Sequence, residues 1–267
     1  MKILVLGAQG MLGHQLVSSL QARHEVTAAV RRDADLRDPA ALQALLARAA
    51  PAAVINAAGV IPQRPDGADA VENLEVNALL PQRLAVLCRA AGARLIHVST
   101  DCVYSGERGN YREQDRPDPV DLYGRTKLLG EPAGAGVLVL RTSLIGASPA
   151  RRTGLVEWFL AQRGPVQGYR HAIFSGVTTQ EFARVAELLL ARPAAAGLYH
   201  LSAAPISKFD LLSQLRERLG LATQILPAAE PRIDRSLDSA RFRADFSYVP
   251  PSWDAMLDEL AAALKQR

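Results

Sequence analysis

Cysteine is scarce: the 267 residues contain two, Cys88 and Cys102. That is too few for the disulfide framework of a small secreted fold, and a cytoplasmic location is expected. Long apolar runs are missing as well. Ile3 to Leu6 gives only four apolar residues before Gly7, too short for a membrane span or a signal-peptide core. No internal repeat and no low-complexity stretch interrupts the chain. Basic residues exceed acidic ones by only four, with no long run of either sign, so nucleic acid is not an expected partner and an anionic small molecule is. Five histidines, at 14, 24, 97, 171 and 200, show no pair at metal-ligand spacing, and no metal is expected. What remains is the balance of an ordinary globular protein, 49% hydrophobic and 22% charged. Disorder, collagen-like repeats and coiled coils are thereby excluded.

The first 145 residues alternate short apolar runs with helical patterns. Strands are predicted at 2–6, 25–30, 53–55, 94–99 and 137–141. Helices are predicted between them: 11–23, a second opened by Asp38-Pro39 and stopped by Pro51, a stretch over 69–91 kinked at Pro81, and 123–131. Strand–helix repetition of this kind predicts an α/β protein with a doubly wound parallel sheet. After Thr142 the pattern loosens. Helices are predicted over 154–162, 178–191, 207–219 and from Trp253, with one strand at 197–201. Residues 227–251 lack periodicity. The expected organisation is a core of residues 1–145 to which 171–203 returns, and a smaller C-terminal lobe from 146–170 and 204–267.

Three features carry chemistry. Gly7-Ala8-Gln9-Gly10-Met11-Leu12-Gly13 joins the first predicted strand to the first helix. In that context Gly7 allows a tight turn, Gly10 lets a pyrophosphate approach the backbone, and Gly13 lets helix pack on strand. The helix N-terminus offers free N–H groups and a positive dipole end to phosphate. Tyr123 and Lys127 are four apart on one helix face, so their polar ends can meet at one group. Ser99-Thr100-Asp101 ends a predicted strand, where a doubly wound sheet places its ligand crevice. At the end of the second strand, where an NAD site has a carboxylate, stand Arg31 and Arg32. A guanidinium there suits the extra phosphate of NADP(H).

Together these features resemble the extended short-chain dehydrogenases/reductases that act on nucleotide sugars, and within them the dTDP-4-dehydrorhamnose reductase family. The likeness rests on GAQGMLG, Asp35-Leu36, NAAG at Asn56 to Gly59 and HVSTDCVYSG at His97 to Gly106. YGRTKLLGE at Tyr123 to Glu131, RTS at Arg141 to Ser143, GLYHLS at Gly197 to Ser202 and, more loosely, RSLD at Arg235 to Asp238 extend it. It implies a Rossmann core with a substrate-binding lobe, and NADPH-dependent reduction of a nucleotide-linked 4-keto-6-deoxyhexose. Tyr123 would donate the proton, Lys127 would assist it and hold the nicotinamide ribose, and Thr100 would bond the substrate carbonyl. Gly7, Gly10, Met11, Leu12, Gly13, Asp35, Leu36, Ala58, Gly59 and Val60 would line the cofactor. Asp101, Cys102, Leu144 and Arg235 would face the sugar nucleotide. A homodimer is allowed by this reading; a membrane partner is not expected. A free tyrosine has a pKa near ~10, and a neighbouring ammonium would lower it.

The sequence departs from the family at three places. Cys102 replaces an aromatic, Leu144 replaces a tryptophan after RTS, and Gln15 replaces a glutamate through which some relatives bind metal. The first two predict a pocket reshaped for a sugar other than the rhamnose precursor. Trp158 is read as core by burial tendency, with replacement of the missing tryptophan as the alternative. Cys88 reads as packing, and Cys102 as an alkylation-sensitive neighbour of the site. Arg151-Arg152 read as exposed loop residues, with a diphosphate contact as the alternative. Two other functions compete: an NAD-dependent epimerase or dehydratase of the same branch, and a non-catalytic NADP-binding regulatory subunit like that of methionine adenosyltransferase. An intact Thr100, Tyr123, Lys127 set favours catalysis over the regulator.

Overall fold

The computed structural model describes residues 1–63, 67–148 and 154–266. Its first half follows the predicted alternation. Strand β1 (Lys2–Leu6) turns through the glycine segment into helix α1 (Met11–Leu20), and β2 (Glu25–Ala29) follows. Helix α2 (Pro39–Ala49) starts where expected: Asp38 accepts the Ala40 N–H at 2.9 Å, and proline occupies the first turn, where its missing N–H costs nothing. Then come β3 (Ala53–Asn56), α3 (Ala70–Asn73), a π-helical segment (Leu74–Leu79), α4 (Leu80–Ala90) and β4 (Arg94–Thr100). Pro81 does not break the long helix. It has no N–H for the Asn77 carbonyl four residues back, and the helix widens into the π segment just before it. Helix α5 (Leu122–Leu129) and β5 (Val137–Thr142) complete this half.

Among the described residues six strands form one parallel sheet, ordered β2–β1–β3–β4–β5–β10, with β10 (Gly197–His200) added from the second half. Alternation along β1 sends Ile3 and Val5 into one apolar layer and Leu4 and Leu6 into the other. The first layer holds Leu12, Leu16 and Leu20 of α1 and the buried face of α7 (Thr179–Leu190). The second holds Leu42, Leu45 and Leu46 of α2 and Leu80, Leu84 and Cys88 of α4. Cys88 is therefore packing, as expected. Strand order reverses between β1 and β3, which puts the ligand crevice at their carboxyl ends.

The second half is richer in strands than its sequence suggested. Short strands β6 (Leu144–Ile145) and β9 (Val177–Thr178) pair, and β7 (Val166–Tyr169) pairs with β12 (Ile225–Ala228). Strand β8 (Ala172–Phe174) takes β11 (Ile206–Ser207) on one side and β13 (Ile233–Asp234) on the other. The stretch 227–251, expected to be irregular, holds β13 and α9 (Ala240–Phe246). Two-residue strands pair through backbone and leave no side-chain period. Helix α9 is anchored by buried Phe242 and Phe246 alone. Helices α6 (Leu155–Leu160), α8 (Lys208–Leu219) and α10 (Trp253–Lys265) lie near their predicted positions, with Ser207 and Ser252 as N-caps of the last two. No helix of the described residues is long and apolar enough to cross a membrane.

Candidate active site

A cavity of about 1030 Å³ runs along the carboxyl edge of the sheet, from the glycine turn to the C-terminal lobe. At its first end Gly7 has φ +76°, and a Cβ there would sit 2.8 Å from the Ala58 backbone. A Cβ at Gly13 would be 2.1 Å from the Gly7 carbonyl oxygen, so Gly13 serves helix-on-strand packing, as its spacing predicted. No side chain caps α1 and its first turn holds no carboxylate, which leaves its N–H groups for an anion. Gly7, Gly10, Met11, Leu12, Asp35, Leu36, Ala58 and Gly59 all line the cavity. The residues thus fit a dinucleotide whose pyrophosphate meets the turn.

Three of the expected cofactor residues do not face it: Gly13, which packs helix on strand, Val60 and Arg32. Val60 is fully buried, its N–H and C=O both held by the Asn77 amide at 2.9 Å. Its part is to pin the loop after β3. Arg31 lines the cavity, but Arg32 does not: its side chain is 87% exposed, 3.9 Å from Asp33. Asp33 is used within the turn, accepting the Val30 N–H at 2.9 Å. Beside Arg31 stand two groups the sequence reading missed, Arg37 and Glu72. Bonds from Arg37 hold Asp35 down at about 2. An acidic residue three after the Asp69 N-cap was the available signal for Glu72.

At the middle of the cavity the predicted catalytic residues come together. Thr100 ends β4 and caps the following turn, accepting the Cys102 N–H at 3.1 Å. Thr100 and Tyr123 line the cavity together, near enough that the Thr100 side chain favours the phenolate. Asp121 starts α5 by accepting the Gly124 N–H at 2.7 Å. The helix sits tight on the Thr100 segment because residue 124 is glycine: a Cβ there would be 2.2 Å from the Cys102 carbonyl oxygen. One turn on, Lys127 donates to the Val98 carbonyl at 2.7 Å. Burial lowers its ammonium to about 8, opposed by Glu131. The Tyr123 phenol moves the opposite way from the expectation. Burial pushes it above its ordinary value, with Cys102 and Asp101 adding to that and Thr100 opposing it, and no lowering by Lys127 is resolved. Tyr123 is thus a fully protonated donor at neutral pH.

Asp101 is 5% exposed; burial raises its carboxyl, and Arg235 and Lys208 oppose the rise. Cys102 lines the cavity, but burial and then Asp101 push its thiol up to about 12. The thiolate that alkylation needs is therefore scarce, contrary to the expected sensitivity. Leu144 and Arg235 also line this end, Arg235 fixed by donating to the Tyr104 carbonyl at 2.9 Å. Trp158 is not core. It is 42% exposed and stands on the cavity wall with Leu144 and Leu155. Lys208, at the start of α8, joins Arg235 there; its rarity, one of four lysines, was the only sequence signal. Arg151 and Arg152 lie outside the described residues. Gln15 bonds Ser19 at 3.0 Å and is not on the wall. His97 and His200 are buried singly, as expected of strand histidines.

Behind the catalytic wall runs a polar network the sequence did not announce. Arg141 of β5 forms a paired-bond contact with Glu131 at 2.7 and 2.8 Å and donates to the Tyr104 hydroxyl at 2.7 Å. Ser99 donates to Glu131 at 2.6 Å. The pieces come from RTS, YGRTKLLGE and HVSTDCVYSG, so those motifs meet as one buried unit.

The fold and crevice define a Rossmann-type α/β protein of the extended short-chain dehydrogenase/reductase kind. The chain belongs to the RmlD substrate binding domain family, which it matches over residues 1–266. It is 32% identical to a dTDP-4-dehydrorhamnose reductase of Streptomyces griseus, across 98% of this chain and 93% of that one. Methionine adenosyltransferase 2 subunit beta of Bos taurus is 34% identical over 54% of this chain and 47% of its own. The fold is shared with a crystal structure of dTDP-4-dehydrorhamnose reductase from Bacillus anthracis in complex with NADP. That likeness has a TM-score of 0.88 at 21% identity, covering 98% and 100% of the two chains.

Proposed function

We propose that the protein is an NADPH-dependent reductase of the C4 ketone of a dTDP-linked 4-keto-6-deoxyhexose, acting in the cytoplasm. The observation that carries this reading is the meeting of Thr100, Tyr123 and Lys127 on one wall of a crevice whose far end is the glycine turn. Family membership and the Streptomyces griseus relative support it. The bound dinucleotide would supply hydride. Negative charge then grows on the ketone oxygen, where Tyr123 gives up its proton and Thr100 fixes the carbonyl. Lys127, held by Val98, places an ammonium beside the phenolate that forms and offsets its charge. Residues 146–170 and 204–267 form the lobe that takes the sugar nucleotide, with Arg235 and Lys208 facing its diphosphate.

The altered sugar expected from Leu144 and Cys102 is replaced by the rhamnose precursor itself, because Trp158 supplies an apolar aromatic face from α6. The regulatory-subunit reading has no support in the site, whose catalytic set is complete. NADPH oxidation followed with dTDP-4-dehydrorhamnose tests the proposal. Tyr123→Phe should lose about 10²-fold or more of turnover while still binding NADPH. Near-normal turnover in that variant would rule out Tyr123 as proton donor.

A further inference from the structure

Arg31 is the guanidinium that the sequence offers to the 2′-phosphate of NADP(H), yet it is not unopposed. Its Nη2 lies 3.4 Å from Oε1 of Glu72, whose Oε2 takes a 2.8 Å bond from Arg37. The Glu72 side chain is only 11% exposed, whereas that of Arg31 is 60% exposed. The carboxylate is thus the fixed member of the pair and the arginine the movable one. Both line the cavity, at the end where β2 closes. In an NAD site the carboxylate of this region comes from the end of the second strand. Here that strand ends without one, and α3 brings Glu72 to the same wall from 41 residues beyond Arg31.

We propose that Glu72 sets the preference of this site between NADP(H) and NAD(H). Its negative charge holds Arg31 and stands beside the position of the incoming 2′-phosphate, so it weakens binding of the phosphorylated dinucleotide. The proposal rests on the dinucleotide reading of the cavity. Two like charges sharing one guanidinium disfavour each other, and the arginine must divide its donors between them. Arg37 does not replace Arg31 in this role, because Asp35 already takes two of its bonds, at 2.7 and 2.9 Å. Glu72→Gln keeps an acceptor for Arg37 and removes only the charge.

The experiment is calorimetric titration of NADP⁺ and NAD⁺ into the full-length protein, which needs no turnover. Glu72→Gln should tighten NADP⁺ by about fivefold, the scale of one unit charge across a partly exposed site. NAD⁺ affinity should stay within about twofold or fall. The gain should shrink in the Arg31→Ala background, because the part of the coupling that runs through that guanidinium is lost. Glu72→Asp, which keeps the charge but draws it back, should give a smaller gain and carries the test if the glutamine variant does not fold. An NADP⁺ affinity that is unchanged or weaker in Glu72→Gln, or the same gain without Arg31, overturns the proposal and leaves the dinucleotide reading intact. Wild-type protein that binds neither dinucleotide overturns both.

Discussion

Replacing Gly124 by alanine should damage catalysis more than it damages the fold. Its backbone is ordinary helix, so the cost is one of space. The added Cβ would stand 2.2 Å from the Cys102 carbonyl oxygen and 2.9 Å from the Pro119 Cβ. Ordinary carbon–oxygen contact needs more than 3 Å, so α5 and the Thr100 segment must separate by about 1 Å. Overpacking of that kind costs about 1–3 kcal/mol, or roughly 2–12 °C in Tm for a chain of this size. The chemical cost is larger. Tyr123 adjoins residue 124, and Thr100, whose side chain acts on its phenol, lies across the interface being pushed apart. A misplacement of about 1 Å at reacting groups can cost on the order of 10²-fold in rate. Steady-state kinetics beside a thermal melt separate the two effects. The prediction is a kcat reduced by about 10²-fold in a protein still folded at the assay temperature. A kcat within threefold of wild type would show that the contact between α5 and the Cys102 carbonyl does not position the phenol.

Lys127 predicts a pH dependence of opposite sign for activity and stability. Its folded-state ammonium is lowered from 10.5 to about 8, so between those values the unfolded chain binds the proton and the folded chain does not. Stability contributed by this site rises with pH across that window, while turnover, which needs the ammonium, falls from about pH 8 upward. Turnover that stays flat to pH 9.5 would remove the charged form from the mechanism. Trp158→Ala should raise KM for the sugar nucleotide by about tenfold, the scale of one lost aromatic face, with NADPH affinity unchanged. An unchanged KM would leave Trp158 without a part in substrate binding.

The elements that were legible from sequence are those whose geometry is set within a few residues. Gly7, Gly10 and Gly13 fix a turn and a helix packing distance locally, and the spacing of Tyr123 and Lys127 fixes a shared helix face. Asp38-Pro39 and Ser207 announce helix starts because capping is satisfied within three residues. The illegible parts depend on distant chain. Val60 looks like a cavity residue from its place after NAAG, but Asn77 captures its backbone from 17 residues away. Trp158 looks like core because tryptophan usually is, and α6 instead presents it to the cavity wall. Strands β8, β11 and β13 assemble from two- and three-residue pieces, too short for any periodicity to register.

Charge around the catalytic residues follows the same division. The sequence shows an ammonium donor near a phenol, and from that pair alone a lowered phenol follows. Burial reverses the sign: the wall around Tyr123 disfavours the phenolate more than any neighbouring cation stabilises it. For a reduction this is the useful direction, since the group must arrive protonated and release its proton only as oxygen charge develops. Lys127 is held close by Val98 and kept mainly charged at neutral pH, with Glu131 opposing the effect of burial. Glu131 can do so because Arg141 and Ser99 hold its carboxylate in place. The buried network behind the wall therefore acts on the ammonium of Lys127, while the phenol itself answers to burial, Cys102, Thr100 and Asp101.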